Sequence, residues 1–293
     1  MSTPKITFVG AGAIGLPMAV RAAAAGTVTV VDTSPERLAE ARSHELETSD
    51  SLSAAPAADV VLVMVATAQQ AESVLFGPGG VYETTAPTAV VALLSTIGPA
   101  AMEKIASNRP SDGPTLLDIP VTGGIPGAIA GTLTLFSGGD TSAIEQIRPV
   151  LESMGNVVLA GPNLADGQAY KIVNQLLATS QLVVAAEALA FAEKLGLDAA
   201  KVFEAVKGGA GGSWMLSHYG PRMLTETRDI AARVDIFLKD AALVGETATA
   251  AGYKGEMIDA TVAVLEKAVE QGLASEDASA VIDVYRKGAY GRG

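Results

Sequence analysis

The feature that most constrains this chain is KITFVGAGAIGLPM, residues 5–18. It sets Gly10, Gly12 and Gly15 in a G-x-G-x-x-G between an apolar β-branched run and a helical pattern. A strand that turns this sharply into a helix uses the first glycine for the turn and the second for close approach of a ligand. The third lets helix and strand pack together. The start of such a helix offers free N–H groups and a partial positive charge, which suit a pyrophosphate. Asp32 ends the next strand-like run, 22 residues after Gly10. An acid there accepts hydrogen bonds from a ribose diol and repels a 2′-phosphate, so NAD is expected over NADP. Arg37, in TSPERL, works against that preference. The alternative for Asp32 is a turn residue ahead of Ser34-Pro35.

The strand-then-helix alternation continues through the first half. Strand-like runs at 5–10, 27–32, 59–66, 89–96, 115–120, 132–138 and 156–161 are separated by segments such as 12–25, 35–42, 68–75 and 140–153 with helical spacing. Most of the runs are continuously apolar, as in strands covered on both faces. The expected fold class is therefore α/β, with a Rossmann-type, mostly parallel sheet. After Gly161 the strand-like runs stop, and 164–293 reads as helices with breaks near 194–198, 207–213, 251–256 and 270–277. This predicts a dinucleotide-binding domain over 1–162 and an all-α domain over 163–293 that opens with one long helix, 164–195. The terminal GAYGRG is expected to fray.

A length of 293 residues accommodates two domains. Hydrophobic residues make up 49% of the chain but aromatics only 4%, so Ala, Val, Leu and Gly must fill the interior. A net charge of −12 argues against nucleic acid and anionic membranes as partners. No uninterrupted apolar run reaches the roughly 18 residues that cross a bilayer. The most apolar stretch, 176–192, carries Gln181 and Glu187 and reads as a buried helix. The N-terminus enters a strand almost at once, without a signal-peptide layout. With no cysteine in the chain, disulfide and thiol chemistry are excluded, and a cytoplasmic location is expected. With His44 and His218 as the two histidines, a His/Cys metal site is not expected.

GQAYKIVNQLL, residues 167–177, then poses a problem of charge. Lys171 lies in a helical, largely apolar stretch, and Asn174 and Gln175 share its face one turn on. A buried ammonium costs free energy unless it is paired or used. A free lysine, with a pKa of about 10.4, is a poor base at neutral pH. Burial or a nearby cation favours the neutral amine, which can then take a proton. The alternative is a snorkelling lysine whose stem packs while its head reaches water.

Three further motifs, DIPVTGGIPGAIAGTLTLFSGG (118–139), GQAYKIVNQ (167–175) and FLKDAALV (237–244), follow the order and spacing of the β-hydroxyacid dehydrogenases, which the chain resembles over nearly its whole length. This family includes 3-hydroxyisobutyrate dehydrogenase and tartronate semialdehyde reductase. SVLFGPGGV, GGSWML, VDIFLKD and EDASAVIDVY carry a closer similarity to L-threonate dehydrogenases. The resemblance implies a Rossmann-type domain, a long linking helix and an all-α domain, usually in a homo-oligomer (dimer or tetramer). It also implies reversible, metal-free NAD(P)-dependent oxidation of a small anionic hydroxy acid.

By the same resemblance, Lys171 is the catalytic lysine, and Thr122, Gly123 and Gly124 form the substrate-carboxylate loop, with Thr122 standing where serine is usual. The family's amide falls on Asn174 or Gln175, and Gln175 has the better positional match. Cofactor contacts are implied for Gly10, Gly12, Ala13, Ile14, Gly15, Asp32, Val65, Ala66, Thr96 and Lys239. Lys239-Asp240 by itself reads as a surface helix pair, although Asp240 is also a candidate for the polar end of the substrate. Trp214, the single tryptophan, is either core or a wall beside the substrate, with Ser213 the N-cap of its helix. His44 and His218 read as surface or packing residues.

L-Threonate is the first substrate expectation. Within the class, tartronate semialdehyde, 3-hydroxyisobutyrate, a sulfonated three-carbon aldehyde and a β-hydroxy amino acid are the others. Imine reduction and a non-catalytic dinucleotide-binding module are the competing functions. Lys171 and Asp32 argue against the first, and the retained substrate loop argues against the second.

Overall fold

The computed structural model describes residues 3–287, and the terminal GAYGRG lies outside them. The chain divides into two compact units between Lys171 and Ile172. In the first unit β1 (Lys5–Val9) turns into α1 (Gly15–Ala22), followed by β2 (Thr27–Val31), α2 (Pro35–Ser43) and a short β3 (Glu47–Ser49). Next come β4 (Val60–Val63), α3 (Ala68–Phe76), α4 (Val81–Thr84), β5 (Val90–Leu93), α5 (Pro99–Asn108) and β6 (Thr115–Asp118). β7 (Val121–Thr122), α6 (Gly124–Ala130), β8 (Leu133–Gly138), α7 (Thr141–Glu152) and β9 (Gly155–Gly161) complete the described sheet and its flanking helices.

The strands lie in the order β3-β2-β1-β4-β5-β6-β8-β7, with β9 beside β8. From β3 to β6 every pairing is parallel, whereas β8 runs antiparallel to β6 and β7. Because successive side chains on a strand point to opposite faces, each apolar run feeds two cores. Ile6, Phe8, Val28, Val30, Val60, Leu62, Val90 and Ala92 join one cluster. Their alternates Val9, Val31, Val61, Val63, Val91 and Leu93 join the other. That is why the runs read as continuous rather than alternating. Strand order changes direction between β1 and β4, where open α/β sheets bind ligands beyond the carboxyl ends of their strands.

The strands at 60–63 and 90–93 are shorter than their apolar runs, 59–66 and 89–96. The surplus residues, including Val65, Ala66 and Thr96, form the loops at those carboxyl ends. β3, α4, α5, β7 and α6 lay outside the elements the pattern predicted. Of these, all but α5 have seven residues or fewer, too few for a period to show.

From Asp166 the chain is helical, beginning with the 29-residue α8 (Asp166–Lys194), close to the expected 164–195. α9 (Ala199–Val206), α10 (Trp214–Met223), α11 (Val234–Ala250) and α12 (Glu256–Glu270) follow, then a 3₁₀ turn (Ala278–Val281) and α13 (Ile282–Arg286). Asp198 caps α9 by accepting from the N–H groups of Ala200 and Lys201, and Ser213 caps α10 by accepting from Leu216. Leu182, Ala186, Leu189, Phe203, Met215, Leu265 and Ile282 belong to the core of the second unit. By length and composition α8 also meets the requirement for a membrane span, with a mean hydropathy of 1.4 in its best window. Its buried residues nevertheless include Gln168, Lys171, Gln175 and Thr179. Polar groups of that kind belong among protein partners rather than lipid tails.

Candidate active site

The glycine turn separates what the fold requires from what a ligand requires. Gly10 has φ +96°, and a Cβ there would lie 2.1 Å from the Met64 carbonyl oxygen. A Cβ on Gly15 would lie 2.1 Å from the Gly10 carbonyl oxygen. Both positions are closed to larger residues by the protein itself. A Cβ on Gly12, by contrast, meets nothing within 4 Å. The space beside Gly12 is the approach that a pyrophosphate needs, so the turn fits a dinucleotide. The N-cap of α1 is Ile14, which caps with no side-chain hydrogen bond.

Asp32 stands beside this turn. Its Oδ2 accepts from the Ala11 N–H at 2.7 Å, and its Oδ1 accepts from the Ser34 N–H at 2.9 Å. Ser34 in turn is the N-cap of α2. Asp32 thus fills the turn role, at the end of β2. Arg37 pairs with Glu40 at 3.1 Å on an exposed face of α2, an ion pair of little strength.

At the ends of β4 and β5, the Val65 N–H donates to Ser95 Oγ at 2.8 Å, which ties the Val65-Ala66 loop to the loop holding Thr96. Two residues that sequence reasoning missed continue this framework. Asp118, at the end of β6, and Gln168, in the first turn of α8, are both fully buried. Gln168 donates to Asp118 from its backbone at 2.8 Å and from Nε2 at 2.7 Å. Burial pushes the Asp118 carboxyl up to about 6, against hydrogen bonds from Gln168 and the Ala165 backbone and with the Asp166 charge adding to the rise. The available signal was a carboxylate closing the apolar run TLLDIP, an expensive group to bury without a purpose.

Thr122 lies on the two-residue β7, and Gly123 is the N-cap of α6. Gly123 and Gly124 take φ values of 129° and 63°, which bend the chain straight after Thr122. Lys171 is 6% exposed, so its side chain is buried rather than snorkelling to water.

In the second unit, Gln175 and Asp240 are buried together. Asn174 Nδ2 donates to Gln175 Oε1 at 2.8 Å, and Gln175 Nε2 donates to Asp240 Oδ2 at 2.5 Å. Lys239 Nζ lies 3.2 Å from Asp240 Oδ1, close enough for an ion pair. The alignment is not that of a hydrogen bond, and Oδ1 is buried without a hydrogen-bond partner. Four predicted residues thus form one chain, Asn174–Gln175–Asp240–Lys239. Asp240 is buried, so the surface-pair reading of Lys239-Asp240 fails for that residue.

Trp214 is 54% exposed, which removes the core reading. It stacks on His218 at 4.6 Å, and His218 meets Tyr219 edge-on at 4.8 Å. Burial, with the Arg222 charge, lowers the His218 pKa, so this ring is a neutral packing group near pH 7. Among the described residues no group of three or more His, Cys, Asp or Glu side chains could hold a metal ion.

Residues 5–161 match the family model described as the NAD binding domain of 6-phosphogluconate dehydrogenase. Residues 165–285 match the one described as NAD-binding of NADP-dependent 3-hydroxyisobutyrate dehydrogenase. An L-threonate dehydrogenase of Cupriavidus necator is 32% identical, covering 96% of this chain and 96% of its own. An NAD-dependent L-serine dehydrogenase of Pseudomonas aeruginosa is also 32% identical, covering 94% of this chain and 96% of its own. The crystal structure of a 3-hydroxyisobutyrate dehydrogenase from Salmonella typhimurium superposes with a TM-score of 0.89 at 29% identity, covering 96% of this chain and 99% of that one.

Proposed function

This chain belongs to the β-hydroxyacid dehydrogenase family, and from that premise we propose that it oxidises the alcohol of a short sugar acid, L-threonate first, with Lys171 moving the proton. The enzyme is an NAD(P)-dependent oxidoreductase of CH–OH groups. The observation that carries the finer reading is a lysine 6% exposed, one helical turn before an amide pair whose Gln175 is anchored to Asp240.

Bound NAD⁺ supplies the acceptor for the hydride that leaves the carbinol carbon. The protein's task is to orient that carbon and to take the hydroxyl proton. Lys171, held out of bulk water, is the base in oxidation and returns the proton in reduction. Asn174 or Gln175 orients the substrate hydroxyl or the amine. The Thr122 hydroxyl and the backbone N–H groups of Gly123 and Gly124 receive the substrate carboxylate, and Asp240 Oδ1 is an acceptor for a further hydroxyl. Trp214 screens the substrate from water. Ala13, Ile14, Val65, Ala66 and Thr96 line the cofactor with the glycine turn, and Lys239 closes its nicotinamide side. Asp32 selects NAD by receiving the ribose hydroxyls.

A cytoplasmic homo-oligomer remains part of this reading. In support, α8 exposes an apolar stripe of Tyr170, Val173, Leu177, Val184 and Phe191, and cysteine is absent from the sequence. The test is NADH formation at alkaline pH with four-carbon sugar acids, L-serine, 3-hydroxyisobutyrate, glycerate and 2,3-dihydroxypropane-1-sulfonate, repeated with NADP⁺. L-Threonate is expected to show the highest kcat/KM, and Lys171→Met is expected to lose at least a thousandfold in kcat. Near-wild-type turnover by Lys171→Met would remove the lysine from the chemistry. Turnover of cyclic imines without turnover of any acid would replace the function.

A further inference from the structure

Gln168 satisfies four hydrogen bonds with one side chain, three of them to the loop between β5 and α5 and one to the end of β6. Its Nε2 donates to Asp118 Oδ1 at 2.7 Å and to the Ser95 carbonyl oxygen at 3.0 Å. Its Oε1 accepts from the N–H groups of Ile97 at 2.9 Å and Gly98 at 3.0 Å. Gly98 is the N-cap of α5, and Gly98 itself caps with no side chain, so Gln168 serves the start of that helix from a distance. Thr96 lies between the carbonyl of Ser95 and the amide of Ile97, and both of these are held by the same carboxamide.

Asp118 does the matching work for α8. Its Oδ2 accepts from the Gln168 N–H at 2.8 Å, and the Ala165 N–H also donates to this carboxylate. An anion at this position complements the N-terminal end of a helix as an N-cap residue does, although it lies 50 residues away in sequence. The backbone is shaped to permit it. Ala165 adopts φ 85°, which is costly for a residue with a Cβ, by roughly 1–3 kcal/mol. A Cβ on Gly167 would lie 2.5 Å from the Phe136 carbonyl oxygen and 2.9 Å from Asp118 Oδ2. The first turn of α8 is therefore pressed onto the sheet end, and Lys171 follows Gln168 by three residues on that helix.

We propose that Asp118 and Gln168 are a pair of positioning residues that hold the Thr96 loop and the Lys171-bearing turn in one fixed register. The assignment rests on the roles of Thr96 and Lys171 given under the proposed function. Either partner fails alone for a chemical reason. In Asp118→Asn, the new Nδ2 faces the Gln168 Nε2 donor, and flipping Gln168 would turn its Nε2 on the two N–H groups of Ile97 and Gly98. In Gln168→Glu, a second carboxylate oxygen faces Asp118. When the two substitutions are combined, the new amide donates to the new carboxylate, whose second oxygen still accepts from Ile97 and Gly98. The Ser95 carbonyl alone loses its donor, so the recovery is partial.

The experiment measures kcat, KM and NAD⁺ affinity by calorimetry for Asp118→Asn, Gln168→Glu and the double variant, each checked for folding by circular dichroism. The single variants are expected to lose at least 30-fold in kcat and at least threefold in NAD⁺ affinity, and the double to recover tenfold or more of the kcat. Single variants within threefold of wild type in kcat, or a double no better than the worse single, would overturn the pairing. In the wild-type protein, amide hydrogen exchange at Ile97 and Gly98 is expected to be slow and matched to that of Gln168. Fast exchange there would also overturn it, even if every variant failed to fold. Exchange and NAD⁺ affinity need no acid substrate. Slow matched exchange in a protein that binds NAD⁺ but turns over no acid would therefore refute the function while leaving the clamp intact.

Discussion

Gln175 and Asp240, 65 residues apart, meet at 2.5 Å in the second unit, where the carboxylate accepts from the amide Nε2 and so fixes which end of Gln175 faces Asn174. An unanchored carboxamide presents donor and acceptor interchangeably. Asp240 removes that ambiguity, because only the amide nitrogen can face an ionised carboxylate.

Asp240→Ala therefore leaves the Gln175 amide buried with a donor unsatisfied, and stability falls by about 1–3 kcal/mol. The expected kinetic effect is a 10- to 100-fold loss in kcat/KM for the acid, with NAD⁺ affinity changed less than threefold. Denaturant unfolding and steady-state rates measure the two effects separately, and an unchanged kcat/KM would remove Asp240 from the site.

Gly12→Ala and Gly10→Ala are expected to fail in different ways. Alanine at Gly12 meets no protein atom within 4 Å, so stability should stay within about 0.5 kcal/mol while NAD⁺ affinity falls at least tenfold. Alanine at Gly10 must displace the Met64 carbonyl 2.1 Å away and adopt φ +96°, so it should cost several kcal/mol of stability. Thermal melts with and without NAD⁺ distinguish the two.

Asp32→Ser keeps a short acceptor beside the Ala11 and Ser34 N–H groups and removes the negative charge. The ratio of kcat/KM for NADP⁺ to that for NAD⁺ should rise at least tenfold. An unchanged ratio would place cofactor selection elsewhere.

Asp118 links pH to stability. Its carboxyl titrates near 6 in the folded protein, above its ordinary value of 3.8, because burial disfavours the charge. The folded state therefore holds a proton that the unfolded state has released over roughly pH 4 to 6. The stability from this group is present below that window and is lost as pH rises through it, by up to about 3 kcal/mol. An asparagine in its place cannot titrate. The stability of wild type relative to Asp118→Asn should thus decline between pH 4 and 7, and a flat difference would show that Asp118 does not titrate there.

Much of the fold was legible because its signals are local. The strand runs read as continuous because Val60 and Leu62 feed one core while Val61 and Val63 feed the other. The glycine turn was legible because Gly10 and Gly15 answer constraints within a few residues or beside one neighbouring strand. Ser213 could be read as a cap from its place before Trp214, and the structure bears that out. β7 and α6 were not legible, since two and seven residues are too short to show a period.

What the sequence by itself determined is the order of the longer elements and that the strands are covered on both faces, because hydrophobic period is a property of the chain. Only the tertiary structure decided that Asp118 caps a helix 50 residues later, that Gln168 ties the loop after β5 to the end of β6, and that Asp240 orients Gln175. A buried donor must find an acceptor wherever folding brings one, and sequence distance carries no information about where that will be.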